Sequence, residues 1–124
     1  METLAKIFTF IVAVEHFYIL YIEMFAWETL GKKTFKGALP EEMFPKTKGL
    51  AANQGLYNGF LAAGLLWTFL INDTEWAFNI RVFFLGCIIV AATYGSIISS
   101  KSIIIKQGIP AIIAMIFVLL AELL

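Results

Sequence analysis

The feature that most constrains this chain is its first apolar segment, Leu4–Trp27, which is long enough to cross a bilayer but carries Glu15, His16 and Glu23. Ionisable side chains at membrane depth are tolerated mainly where they face a protein interior or a wet cavity. In a helix, His16 and Glu23 lie only about 20° apart, on a stripe of mostly small residues. Ala5, Thr9, Val12, Ile19 and Ala26 continue that stripe, and the opposite side carries Phe10, Phe17, Tyr21, Met24 and Phe25. We therefore predict that the stripe faces the protein interior and carries the function.

The composition indicates an integral membrane protein. Of the 124 residues, 60% are hydrophobic and 15% are charged, and the mean hydropathy is +0.86, which is too apolar for a soluble domain of this size. Because a membrane helix needs about 20 apolar residues, we predict four spans, over residues 4–27, 50–71, 76–98 and 103–121. Pro110 is tolerated in a first helical turn, so the fourth helix is expected to begin near Gly108. The predicted fold is all-α: one domain, residues 1–124, forming a multi-pass four-helix bundle in the cell membrane.

The lysines predict the orientation of the chain. Five lysines lie in the predicted loop 28–49 and two lie between the last two spans, whereas the other side has only Lys6 and Arg81 and a short acidic connection, Asn72–Glu75. By the positive-inside rule, loop 28–49 faces the cytoplasm and the termini are N-out and C-out. The basic loop needs no nucleic-acid partner to explain it.

The second span has two contrasting sets of residues. Four polar side chains fill one sector of its helical circle: Asn53, Gln54, Tyr57 and Asn58. Small residues fill the opposite sector of the helix: Ala51, Gly55, Gly59, Ala62 and Ala63. Small residues at this spacing allow close backbone approach, within the chain or across an oligomer. We therefore expect a homo-oligomer, a dimer or trimer, through the Gly55/Gly59 face, and hydrogen bonds from the polar sector to the first span.

The number of polar groups favours a ligand site. One intramembrane Asn or Gln is usually explained by helix association, worth on the order of 1 kcal/mol or less. So many costly groups exceed what association of a small bundle requires. Arg81 lies near the outer end of its span. A side chain that extends to the membrane surface explains it as well as a place in the ligand site does. The candidate ligand-binding residues are Glu15, His16, Glu23, Asn53, Gln54, Tyr57, Asn58, Arg81 and Gln107. Their spacing does not suit a metal site.

Three segments carry a family resemblance. Residues 15–25, the run Asn53-Gln54-Gly55-Leu56-Tyr57-Asn58-Gly59-Phe60-Leu61-Ala62, and Gln107-Gly108-Ile109-Pro110 together resemble the bacterial domain-of-unknown-function 1304 family of small four-span membrane proteins. The resemblance covers nearly the whole chain. It implies a four-span fold and no particular reaction.

Two further resemblances supply alternatives. The layout is similar to that of membrane-associated eicosanoid and glutathione metabolism proteins, with Lys48, Asn53 and Arg81 in comparable places. That likeness implies an enzyme with glutathione as cofactor and sites between the subunits of a trimer. Small proton-coupled exporters also carry a membrane-embedded glutamate in their first span, the place of Glu15 or Glu23. The interpretation we favour is a polar intramembrane pocket that binds a small amphipathic or apolar ligand, for transport or sensing.

Overall fold

Four long helices make up most of the chain. The computed structural model describes residues 1–124, of which 83% are helical, and it contains no strand. The helices are α1 (Glu2–Phe25), the short α2 (Lys32–Thr34) and α3 (Met43–Lys46), then α4 (Lys48–Trp67), α5 (Thr74–Ile98) and α6 (Ile109–Leu123), with π-helical turns at Trp27–Gly31 and Ile104–Gly108. The prediction of an all-α fold is confirmed.

The ends of these helices follow from local sequence. Asp73 caps α5, where its carboxylate accepts a hydrogen bond from the Trp76 backbone N–H at 3.0 Å. Pro110 lies in the first turn of α6, directly after the π-helical turn Ile104–Gly108, and a first turn tolerates proline. The α-helical part accordingly begins at Ile109, next to the expected Gly108.

Helix α1 buries the predicted stripe. All seven of its members are at most 7% exposed: Ala5, Thr9, Val12, His16, Ile19, Glu23 and Ala26. The aromatic side is turned outward, with Phe10 52% and Phe25 71% exposed. The prediction that this stripe faces the protein interior is confirmed.

The long helices contact one another in the cyclic order α1, α4, α5, α6. Their common core contains Val12 of α1, Leu65 of α4, Leu85 and Ile88 of α5, and Ala114 of α6, each at most 1% exposed. The small alanines on α1 and α6 let these helices pack closely, and Phe8 stacks on Phe117 with ring centroids 5.1 Å apart. On α1, α5 and α6 these residues lie near the middle of the helix, whereas Leu65 lies near the end of α4.

Three helical segments are long and apolar enough to cross a membrane: Glu2–Phe25, Thr74–Ile98 and Ile104–Leu123. Helix α4, which carries the predicted span 50–71, is not among them. Its 20 residues include four glycines and the polar run Asn53–Asn58, which lower its mean hydropathy.

Candidate functional site

The centre of the candidate site is the carboxylate of Glu23, which is 2% exposed near the end of α1. Both of its oxygens accept hydrogen bonds from α4: Gln54 Nε2 donates to Oε2 at 2.8 Å, and Asn58 Nδ2 donates to Oε1 at 2.6 Å. No lysine or arginine nitrogen lies within 4.0 Å of the Glu23 carboxylate oxygens. The carboxylate is therefore held by neutral amides and retains capacity to accept further hydrogen bonds.

Glycines on α4 make this geometry possible. A Cβ on Gly55 would lie 2.8 Å from Met24 Cγ and 3.0 Å from Glu23 Cβ, and a Cβ on Gly59 would collide with the Leu20 side chain. Because neither glycine has a side chain, the α4 backbone approaches α1 closely enough for Gln54 and Asn58 to reach the carboxylate.

A cavity of about 240 Å³ opens beside Glu23. It lies between the end of α1, the first turns of α4, the residue after α5 and the π-helical turn Ile104–Gly108, beneath loop residues 35–39. Its polar lining residues are Glu23, Thr47, Gln54, Ser99 and Gln107, and its larger apolar ones are Trp27, Phe35, Leu39, Leu50 and Ile103. The walls suit a small molecule with one polar and one apolar end.

Two contacts hold the loop over this cavity. Trp27 Nε1 donates to Thr47 Oγ1 at 3.0 Å, and its ring packs on Phe35 and Phe44 with centroids 5.6 and 4.9 Å away. Lys106 Nζ donates to the Thr34 carbonyl at 2.9 Å, which ties the π-helical turn to the loop. The cavity is therefore bounded by a structured segment.

Glu15 and His16 lie outside this site, which corrects the prediction of one shared pocket. His16 Nδ1 lies 2.9 Å from the Val12 carbonyl and 3.9 Å from Glu15 Oε1, and neither residue lines the cavity. Although His16 and Glu23 share a face, their separation of seven positions corresponds to about 10 Å along the helix axis. Glu15 Oε1 is buried without a hydrogen-bond partner, as is Thr9 Oγ1.

The division of α4 into two opposite sectors also needs correction. Gln54 and Asn58 lie on the α1 side together with Gly55 and Gly59, whereas Asn53 and Tyr57 are exposed on the other side. Helix α1 of the same chain covers the Gly55/Gly59 face, so that face is not free to join two copies. The homo-oligomer stays a prediction, and it would need a different surface.

Arg81 is also separate from Glu23. It is 5% exposed, so it does not extend to the surface, and it lines a second cavity that shares no residue with the first. Ser99, which lines the Glu23 cavity, follows Arg81 by 18 residues, or about 27 Å of helix. Within one chain, Arg81 and the Glu23 cavity therefore lie at opposite ends of the helices, and the glutathione-type alternative, whose sites would lie between subunits, stays a prediction.

The comparisons with known proteins give a family. The profile of the family described as "Protein of unknown function (DUF1304)" matches residues 10–119. The chain belongs to the DUF1304 family. It is 36% identical over 117 residues to the uncharacterized protein YpaA of Lactococcus lactis subsp. lactis (strain IL1403), a match that covers 94% of this chain and 97% of YpaA. No solved structure matches the chain.

The part of the chain that matches DUF1304 includes all nine sequence-predicted site residues. Of these, Glu23, Gln54 and Gln107 line the first cavity. Asn58 does not line it but donates a hydrogen bond to Glu23. Sequence reasoning missed Thr47 and Phe35, because they are brought to the cavity by the folding of the loop. It also gave Trp27 no part in the site, although an aromatic residue one turn beyond a buried glutamate was an available signal.

Proposed function

We propose that this chain is a multi-pass protein of the cell membrane in which all four long helices cross the bilayer, N-out and C-out. Helix α4 has 20 residues, or about 30 Å, which matches the hydrocarbon core, and it turns Gln54 and Asn58 toward α1. Large apolar side chains are exposed on the outside of the helices, including Phe83 at 64% and Val90 at 69%. Such extensive apolar exposure favours contact with lipid.

Contact between the two basic segments supports the orientation. The hydrogen bond from Lys106 to Thr34 brings the connection after α5 to the same end as the loop after α1. Seven lysines thus share one end, and the positive-inside rule assigns that end to the cytoplasm. The Glu23 cavity then faces the inner membrane surface.

The cavity is proposed to bind a small amphipathic molecule whose polar end donates hydrogen bonds to Glu23. The observation that carries this proposal is the buried carboxylate, fixed by two amides and without a basic partner, in the wall of a cavity with aromatic residues. An ammonium group supplies both the donors and the positive charge that this carboxylate lacks, and Trp27 and Phe35 offer apolar surface to a hydrocarbon or aromatic tail.

The packed core bears on the choice between transport and sensing. Val12, Leu85 and Ala114, near the middle of their helices, are 0% exposed, so packed side chains lie between the cavity and the opposite end. Transport would require these helices to separate. A site open at one end favours sensing of a ligand on the cytoplasmic side.

The test uses three six-carbon probes with different polar ends: hexylamine, hexanol and hexanoate. Each is added to the purified protein in a neutral detergent, and the melting temperature is measured for wild type, Glu23→Gln and the control Glu28→Gln. Glu28 is an exposed glutamate five residues away that does not line the cavity. Glutamine preserves the shape of the Glu23 side chain and removes its charge.

Hexylamine is expected to raise the melting temperature of the wild type and of Glu28→Gln, and to leave Glu23→Gln unchanged. Hexanoate is expected to have no effect, since its charge repels the carboxylate. An equal hexylamine shift in wild type and Glu23→Gln would show that the amine acts through the detergent or another surface, and the proposal would be wrong.

A further inference from the structure

The second cavity of the protein contains a buried arginine with few protein partners. Arg81 Nε donates to Thr68 Oγ1 at 3.2 Å, and the guanidinium carbon lies 5.2 Å from the centroid of the Phe69 ring. Thr68 is itself 1% exposed, and its hydroxyl donates to the Leu65 carbonyl at 2.6 Å. These contacts fix the side chain in one orientation.

The guanidinium group has no salt-bridge partner within the protein. A guanidinium has five N–H donors, and the bond to Thr68 uses one of them. No carboxylate oxygen lies within 4.0 Å of Arg81; at that distance Glu2 meets Lys6, and Glu15 meets the His16 ring. A buried charge is costly without a hydrogen-bonded counter-charge, so a cation held in this way indicates an acceptor from outside the chain.

The cavity that Arg81 lines has a volume of about 310 Å³ and lies at the end of the molecule that carries both termini. Four helix ends surround it: the start of α1, the segment after α4, the start of α5 and the end of α6. Its deeper wall is partly apolar, with Ala77, Phe78, Val118 and Ala121.

Three other charged residues line the same cavity, and none of them replaces an external anion. Glu2 and Lys6 lie on the rim, where their side chains are 64% and 54% exposed and pair with each other at 4.0 Å. Glu122 is also exposed. These three side chains thus remain in contact with solvent at the rim, and Arg81 is the buried charge of the cavity.

We propose that this cavity is an anion site in which the Arg81 guanidinium binds the oxygens of a carboxylate or phosphate group. Two parallel N–H donors of an arginine match two oxygens of such a group, and Phe69 and Thr68 hold the donors in place. The anion is either free in solution or part of a lipid headgroup, since the cavity opens at an end of the helices. This site is independent of the Glu23 cavity.

The test measures binding of inorganic phosphate and of anionic lipid to the full chain. Phosphate is added to purified protein in neutral detergent at constant ionic strength, with chloride as the reference salt, and the melting temperature is recorded. In a second arm, the protein is placed in nanodiscs of phosphatidylcholine with or without phosphatidylglycerol. The variants are Arg81→Gln, Arg81→Lys and Ala121→Phe, and the control is Lys101→Gln, an exposed lysine at the opposite end.

A phosphate-dependent shift in wild type and Lys101→Gln, with affinity at least tenfold weaker in Arg81→Gln, supports a site for a free anion. Stabilisation by phosphatidylglycerol alone, with the same dependence on Arg81, supports a lipid headgroup as the source. Arg81→Lys is expected to bind more weakly than wild type, because an ammonium cannot form the two parallel bonds.

Ala121→Phe keeps the arginine but fills the cavity, so it tests the proposal even if Arg81→Gln does not fold. It is expected to abolish both shifts. The proposal is overturned if Ala121→Phe responds to anions as the wild type does, if Arg81→Gln does so, or if neither anion stabilises the wild type.

Discussion

Replacing Gly55 by alanine tests the contact between α1 and α4 with a single methyl group. The new Cβ would lie 2.8 Å from Met24 Cγ, 3.0 Å from Glu23 Cβ and 3.3 Å from the Leu20 carbonyl oxygen. Carbon atoms pack best at about 3.5–4.0 Å, so the two helices must separate by several tenths of an ångström. The same movement would lengthen the hydrogen bonds that Gln54 and Asn58 donate to Glu23.

The expected cost of this overpacking is about 1–3 kcal/mol. Alanine also favours the helix over glycine by about 1 kcal/mol, which offsets part of that cost. Gly86→Ala is the matched control, since Gly86 lies inside α5 and a Cβ there would have no atom within 4 Å. The control should gain the helix preference alone. We therefore expect Gly55→Ala to be less stable than Gly86→Ala by about 1–3 kcal/mol.

The two variants are compared by titrating the protein in neutral detergent with a denaturing detergent and following helix content by circular dichroism. Gly55→Ala should unfold at a lower fraction of denaturing detergent than Gly86→Ala. If both variants unfold at the same fraction, the α4 backbone does not rely on close approach at Gly55, and the packing described for α1 and α4 is wrong.

Two further predictions concern orientation and the loop. In a Cys87→Ser background, an impermeant thiol reagent applied to intact cells should label Glu75→Cys and not Glu41→Cys. The reason is that Glu75 lies at the outer connection and Glu41 lies in the basic loop. The reverse pattern would contradict the N-out and C-out orientation. Trp27→Phe should lower stability by about 1 kcal/mol, since it removes a hydrogen bond, whereas Trp76→Phe, at a 62% exposed side chain, should change it little. Equal melting temperatures for these two variants would show that the Trp27 bond does not hold the loop.

The buried face of α1 could be predicted from sequence because it is a property of one helix. The direction of each side chain follows from about 100° per residue, and a stripe that combines small residues with His16 and Glu23 has to face the interior. The rise of about 1.5 Å per residue also gives the distance between His16 and Glu23 along the axis of α1. The predicted single pocket took account of their shared face and not of that distance. His16 and Glu23 are on one face and at different depths, which is why the cavity includes only Glu23.

The arrangement around α4 and Arg81 could not be predicted in the same way. Which side of α4 meets α1 depends on how closely the two backbones approach. Gly55 lets them come close enough for Gln54 also to reach Glu23 on α1. Whether Arg81 extends to the surface or folds inward depends on Thr68 and Phe69, which lie in a connection whose path is set by tertiary packing. Local sequence does not determine either contact.

Photolabelling can locate a ligand whose hydrogen-bond-donating end binds Glu23. A hexylamine derivative with a diazirine on its tail is bound to the protein in detergent and irradiated, and the modified residues are identified by mass spectrometry. We expect labels on the cavity-lining residues Phe35, Leu39 and Ile103. These labels should be lost in Glu23→Gln and retained in Glu28→Gln. Labels spread over the exposed helix surfaces, in the same amounts in wild type and Glu23→Gln, would contradict binding at Glu23.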